Sequence, residues 1–203
     1  MKQQLTQKTI TGLAAGCVSA LICASVGVVH AQTTFRVDPS HTFPSFEADH
    51  MGLSLWRGRF NKTSGVIVLD RQKQTGTMDI VIAADSIDFG WPKMTEHAKA
   101  ADMFNVEKFP QIRYVGKSMT FENGKPVAVD GELTLMGVTR PVPLKIKAFN
   151  CIDPHPFSKT EVCGADAEAE FKRTDFGLDY AVARGFKPEV KVLISVEAVK
   201  QTP

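Results

Sequence analysis

Histidines, cysteines and one acidic turn are the residues of this chain whose types and spacing could do chemistry. His97 lies in Thr95–Pro110, TEHAKAADMFNVEKFP, the one stretch that reads as helix. Thr95 serves as N-cap, Glu96 sits in the first turn, and Asn105 stands at C′. His97, Ala100, Ala101 and Phe104 then recur at i, i+3, i+4 and i+7 and share one inward face. A histidine beside two alanines offers a hydrogen bond to a group that approaches closely; a core histidine satisfied by backbone is the equal alternative. Asp38, Ser40 and His41 contain the types of a nucleophilic triad, but side by side. They read instead as a turn in which Asp38 and Ser40 bond local backbone. His41 and His50 are nine residues apart, an odd separation that places them on opposite faces of a regular strand and speaks against a shared metal. Eleven residues separate Cys151 from Cys163, which rules out a C-x-x-C redox motif. His155 between them offers a metal ligand, but Pro154 and Pro156 favour a stiff turn. A nucleophile elbow, a P-loop, a dinucleotide fingerprint and His-Glu-x-x-His are all absent. The expectation is a protein without catalytic residues, resident cofactor or metal.

The compartment follows from the N-terminus. Lys2 and Lys8 precede an almost uncharged apolar run, Ile10–Val29, and Val29-His30-Ala31 supplies small residues at −3 and −1. Residues 1–31 are expected to be a signal peptide cleaved before Gln32, leaving 32–203 as one domain and no stable membrane insertion. A retained anchor is the alternative. The chain carries 24 Lys and Arg against 22 Asp and Glu; losing Lys2 and Lys8 balances them at 22 each. No basic field remains to hold nucleic acid. Cys151 and Cys163 are then the only cysteines left, and an oxidising compartment favours their pairing.

The elements that must position these residues are strands. Short alternating segments recur between turn signals: Thr33–Asp38, Thr42–Asp49, Arg57–Asp70 with a bend near Asn61–Gly65, and Thr77–Ala84. Gln111–Phe121, Val127–Met136, Arg140–Asn150, Ala165–Thr174 and Val190–Val199 follow the helix. About eight strands joined by short turns, without crossover helices, argue for an antiparallel barrel closed on itself. Val190, Val192, Ile194, Val196 and Ala198 share one face of the last strand; Met78, Ile80, Ile82 and Ala84 share one face of another. Such a barrel encloses either a packed core or a slot for one small ligand.

In order, the blocks Asp38-Pro39-Ser40-His41-Thr42, then Phe46, His50, Ser54 and Gly58-Arg59-Phe60, resemble the opening of the YceI-like, polyisoprenoid-binding family. So do His97 with Ala101-Asp102-Met103-Phe104 and Phe109-Pro110, then Gly131 through Val142, and Arg173-Thr174-Asp175-Phe176-Gly177. The resemblance implies an all-β, eight-stranded antiparallel lipocalin-like barrel with one short helix and an apolar cavity. It implies an exported, periplasmic protein whose partner is a small amphipathic lipid, such as a polyprenyl chain, an isoprenoid quinone or a fatty amide. A homodimer stays open. Met94-Thr95 and Ala98 stand where the family commonly has Arg-Asp and Leu, so no arginine grips a pyrophosphate there. The expected ligand contacts are Phe46, Phe60, Ile82, Leu133 and Ile194 for the tail, with His97, Ala101 and Phe104 toward the polar end. A hydrolase or isomerase acting on such a lipid, and a stress-response barrel filled by its own side chains, are the alternatives.

Overall fold

The computed structural model describes Met1 and residues 32–202, so the expected signal segment, past its first residue, lies outside the described residues. Residues alternate in character because strand side chains point to opposite faces, and the chain forms β1 (Thr33–Val37), β2 (Phe43–His50), β3 (Ser54–Phe60), β4 (Thr63–Asp70), β5 (Thr75–Ala83) and β6 (Ile87–Asp88). The one α-helix among the described residues, α1 (Pro92–Lys99), leads to β7 (Gln111–Glu122), β8 (Lys125–Leu135), β9 (Val138–Pro141), β10 (Leu144–Ile152), β11 (Val162–Lys172) and β12 (Glu189–Lys200).

These twelve stretches make eight long strands. β1 and β2 both run antiparallel along β12, with Val37 opposite Ala198 and Phe43 opposite Ser195. They are one strand interrupted at residues 38–42. By the same test β3 continues into β4, β5 into β6, and β9 into β10. Each strand pairs antiparallel with its neighbours in sequence, and β1 closes on β12 through Phe35 opposite Lys200. The architecture is the closed eight-stranded antiparallel barrel with one short helix that the pattern implied. The bend expected near Asn61–Gly65 falls between β3 and β4. Gly65, at φ +149, lets β4 press against β5, where a Cβ would collide with the Asp79 carbonyl.

Alternate turns define two ends. At the near end are the β2–β3 turn, α1, the β8–β9 turn and the segment from Arg173 to Pro188. The β4–β5, β7–β8 and β10–β11 turns form the far end. The longest uninterrupted strands have twelve residues, a span of about 40 Å.

The helix differs from its expected place. It begins four residues earlier, with Trp91 as its cap, because Pro92 takes N1, where its missing N–H costs nothing. Thr95 is therefore not the cap; its Oγ1 lies inside the first turns and accepts a 3.0 Å hydrogen bond from Phe89 N–H. Ala100 turns extended and ends the helix after Lys99. The freed carbonyls are then met from below: Phe104 N–H donates to Ala98 O and Asn105 N–H to Ala100 O, both turn contacts. Asn105 does adopt positive φ, but in that turn rather than at the end of a helix reaching it. The expected helical face of His97, Ala100, Ala101 and Phe104 consequently does not form. Among the described residues no helix is long and apolar enough to cross a membrane.

The far end is packed with apolar side chains. Phe35, Leu69, Met119, Val129 and Ala198 are buried there. Cys151 and Cys163 face each other across β10 and β11 and are joined by a disulfide. Arg71 lies over it, with one guanidinium nitrogen 3.3 and 3.2 Å from the two sulfurs and paired to buried Glu161. Lys200 approaches the same carboxylate at 3.7 Å.

Candidate ligand cavity

Inward-facing apolar residues near mid-strand ought to be fully buried in a packed barrel. Val192 and Ile194 on β12, Ile67 on β4 and Ile80 on β5 instead remain only half-buried. They line a hollow of about 470 Å³, a size typical of small-molecule sites. The interior is not filled by its own side chains.

Aromatic rings build one wall of this hollow. Phe46 packs against Phe60 and Phe89, with centroids 5.9 and 5.4 Å apart, and Phe60 meets Phe104 at 5.8 Å. Phe46 also explains Gly58, directly across the β2–β3 ladder, where a Cβ would press into the Phe46 ring. Phe46, Phe60, Ile82, His97, Phe104, Leu133 and Ile194 all line the same cavity. Ala101 does not; it is exposed in the turn after α1. The buried small residue of the helix is Ala98, fully inaccessible, which lets α1 lie close on the barrel.

Polar groups on the lining are mostly satisfied by the protein. Ser45 Oγ donates to Leu193 O at 2.9 Å, and Tyr114 O–H donates to Val142 O at 2.9 Å, with burial pushing the phenol's pKa well up. Arg173 is buried; its guanidinium donates to Leu178 O at 2.9 Å, and desolvation pushes its pKa down. Its function is thus to hold the near-end segment by backbone carbonyls. Thr63 is the exception: it lines the cavity, is 3% exposed, and its hydroxyl has no partner. An orphaned buried hydroxyl costs stability until something accepts or offers a hydrogen bond.

The near end is ringed by half-buried groups. His50 stacks on Trp56 at 4.2 Å and meets the edge of Phe186 at 5.0 Å. His97 lies edge-on to Tyr180 at 4.9 Å, and its Nε2 is 3.4 Å from Asp102 Oδ2. Sequence reasoning placed Trp56 among the aromatic residues of an apolar wall, and it lines the cavity, but missed Thr63, His50 and Tyr180. His50 and Trp56 were readable from alternation along β2 and β3; Thr63 and Tyr180 follow irregular turns and carried no signal.

The acidic turn lies outside the cavity. Asp38 Oδ1 accepts from Ser40 N and Oγ at 2.8 and 2.6 Å, and Asp38 Oδ2 is 2.9 Å from His41 Nδ1. Ser40 and His41 hold the Asp38 carboxyl below its ordinary range, and Asp38, then Glu197, hold His41 above that of a free histidine. His41's contribution to stability is therefore complete below the free-histidine value and lost as pH rises through its own raised value. Asp38's is complete above the free-aspartate value and lost as pH falls through its lowered one. NMR titration should place the His41 midpoint above that of a free histidine, and Asp38→Asn should return it toward the free value. A free-histidine midpoint in the unmutated protein would contradict the pair. Cys151, Glu161 and Cys163 are the one cluster of three metal-type ligands among the described residues, but both sulfurs are used in the disulfide.

The chain is a closed eight-stranded antiparallel barrel with an apolar-lined hollow beneath a ring of aromatic and histidine side chains. The chain belongs to the YceI-like domain family, whose model matches residues 35–198. It is 29% identical over 185 residues to Protein YceI of Salmonella arizonae and of Salmonella enteritidis, spanning 91% of this chain and 95% of each. Among solved structures, BcnA of Burkholderia cenocepacia superposes with a TM-score of 0.65 at 20% identity, over 79% of this chain and 98% of that one. A polyisoprenoid binding domain from Saccharophagus degradans gives 0.60 at 15% identity, over 82% and 98%. These likenesses concern the fold.

Proposed function

We propose that the protein is an exported, periplasmic carrier that holds one amphipathic isoprenoid-type lipid, a polyprenyl chain or isoprenoid quinone, without transforming it. The observation that carries this reading is the hollow: inward apolar side chains left half-buried around about 470 Å³. Each ligand CH₂ buried there contributes about 0.8 kcal/mol, so ten or so give micromolar or tighter binding before ordering costs. Few polar contacts are then needed. The polyisoprenoid binding domain among the structural neighbours supports the ligand class. Export rests on the leader pattern and accords with the Cys151–Cys163 bond.

A neutral head, such as a quinone carbonyl or amide, suits the lining better than a phosphate. Met94 stands at the helix position facing the cavity, Arg173 is engaged by Leu178 O, and Thr63 O–H is free to donate. Thr63→Val should raise the stability of ligand-free protein by about 1 kcal/mol, since a lone hydroxyl leaves the interior. It should also weaken a fluorescent quinone by about three- to tenfold. His97→Leu should likewise weaken the quinone, and neither change should affect a fluorescent hydrocarbon. Parallel titrations decide: equal losses for both probes, or for neither, would remove these residues from head recognition.

A further inference from the structure

Strand β7 breaks its own alternation. Ile112, Tyr114 and Gly116 are buried and face inward, so a regular strand would turn Ser118 inward next. It does not, because β7 carries one extra residue there. Gly116 pairs with Gly131 on β8, but Ser118 pairs with Asp130 and Met119 with Val129, which leaves Lys117 without a counterpart. A bulge of this kind re-aims the side chains that follow it. Lys117 pairs with Glu132, and Ser118 Oγ donates to Asp130 Oδ2 at 3.4 Å, both at the surface. Met119 takes the inward position instead and is buried.

Gly76 on β5 leaves the space that the Met119 thioether fills. A Cβ there would lie 2.6 Å from the Met119 sulfur and 3.0 Å from Leu69 Cδ2. Burial changes at this level of the barrel. Ile67 on β4 and Met78 on β5 are half-buried beside the hollow, whereas Leu69 and Gly76, one inward position further toward the far end, are buried. Beyond this level lies a second pocket of about 190 Å³, lined by polar residues that include Asp70, Thr75, Thr77 and Lys117. Among the described residues, Met119 alone lines both this pocket and the apolar hollow. Its side chain is the partition between them.

We propose that Met119 determines which tail lengths the cavity accepts: it is an end-stop that closes the floor of the hollow against the polar pocket. The proposal rests on the carrier reading for its ligand. Each ligand carbon buried above the stop adds affinity, while a carbon beyond it must displace the thioether or remain in water. Methionine suits this place because its unbranched, polarizable side chain adapts to the end of a tail without leaving a gap. The bulge at Lys117 is what puts it there rather than Ser118, whose hydroxyl would face an apolar tail.

Two series of alcohols test this: prenols lengthened from geraniol by isoprene units, and straight-chain alkanols of matching length. Wild-type affinity should rise with length and then level off. Met119→Ala should move that break upward, binding the first alcohol past the wild-type limit at least about tenfold tighter. Gly76→Ala presses a methyl against the Met119 sulfur and should move the break downward. The longest alcohol that wild type accepts in full should then weaken at least about tenfold, while those well short of it stay within about twofold. A residue that merely fills the core would lower affinity for every length alike in both variants. That result, or a break unmoved by either change, would overturn the end-stop. Gly76→Ala decides alone should Met119→Ala fail to fold. Wild type that takes up alkanols but no prenol would count against the isoprenoid reading, with the alkanol break still deciding the stop. Uptake of neither series would overturn both.

Discussion

Val192→Trp is expected to weaken binding of a fluorescent isoprenoid at least about thirtyfold while shifting stability by less than about 1 kcal/mol. Val192 sits midway along β12, opposite Phe46 on β2 and Ala169 on β11. It points inward yet remains half-buried, because it borders the hollow. The added indole fills space that a ligand would otherwise occupy. Excluding two or three ligand CH₂ groups removes about 2 kcal/mol of transfer energy, which is the stated loss. In a filled core the same substitution would overpack the site and cost about 1–3 kcal/mol. Titration and thermal melts on one sample separate the two cases. Marked destabilisation with undiminished binding would mean that the hollow is not where the ligand lies.

Removing the disulfide should give the largest loss of stability. Replacing Cys151 and Cys163 together by serine opens a loop of sequence separation 12, and the unfolded chain regains freedom worth about 3 kcal/mol. For a domain of this size the melting temperature should fall by roughly 6–12 °C. Arg71 would keep its ion pair with Glu161 but lose the two sulfurs beneath it. Cys163 lines the cavity, but at its far end, away from the ring around His50 and His97, and serine is close to it in size, so lipid affinity should stay within about twofold. An unchanged melting temperature would deny the bond a structural role. Lost binding at unchanged stability would give the cysteine loop a part in the site.

Most of the barrel was legible because a strand's apolar period is two and its turns are written in Gly, Asn, Asp and Pro. The face Val190, Val192, Ile194, Val196 and Ala198 was read from alternation alone, and all five line the cavity. Arg57–Asp70 was read as one bent strand, and β3 running into β4 is that strand; local pattern did not reveal that β1 and β2 likewise act as one interrupted strand, which depends on which neighbour spans the break. The helix was misplaced because TEHAKAADMF is rich in helix formers, while Pro92 and the return to β7 decide where the helix starts and stops. Ala101 was lost with it, and Ala98 took the buried position. Phe46, Phe60, Ile82, Leu133 and Ile194 could be chosen as apolar and inward. No sequence signal shows that Thr63 lacks a hydrogen-bond partner, since that depends on what the rest of the chain fails to place beside it.

Native mass spectrometry of the protein, purified without detergent from cells that export it and followed by organic extraction, tests the carrier reading most directly. The account predicts a chain beginning at Gln32 that carries one non-covalent, isoprenoid-type lipid, recovered intact on extraction. A bare chain that also takes up no added isoprenoid, or one that releases only cleaved or rearranged lipid, would contradict it.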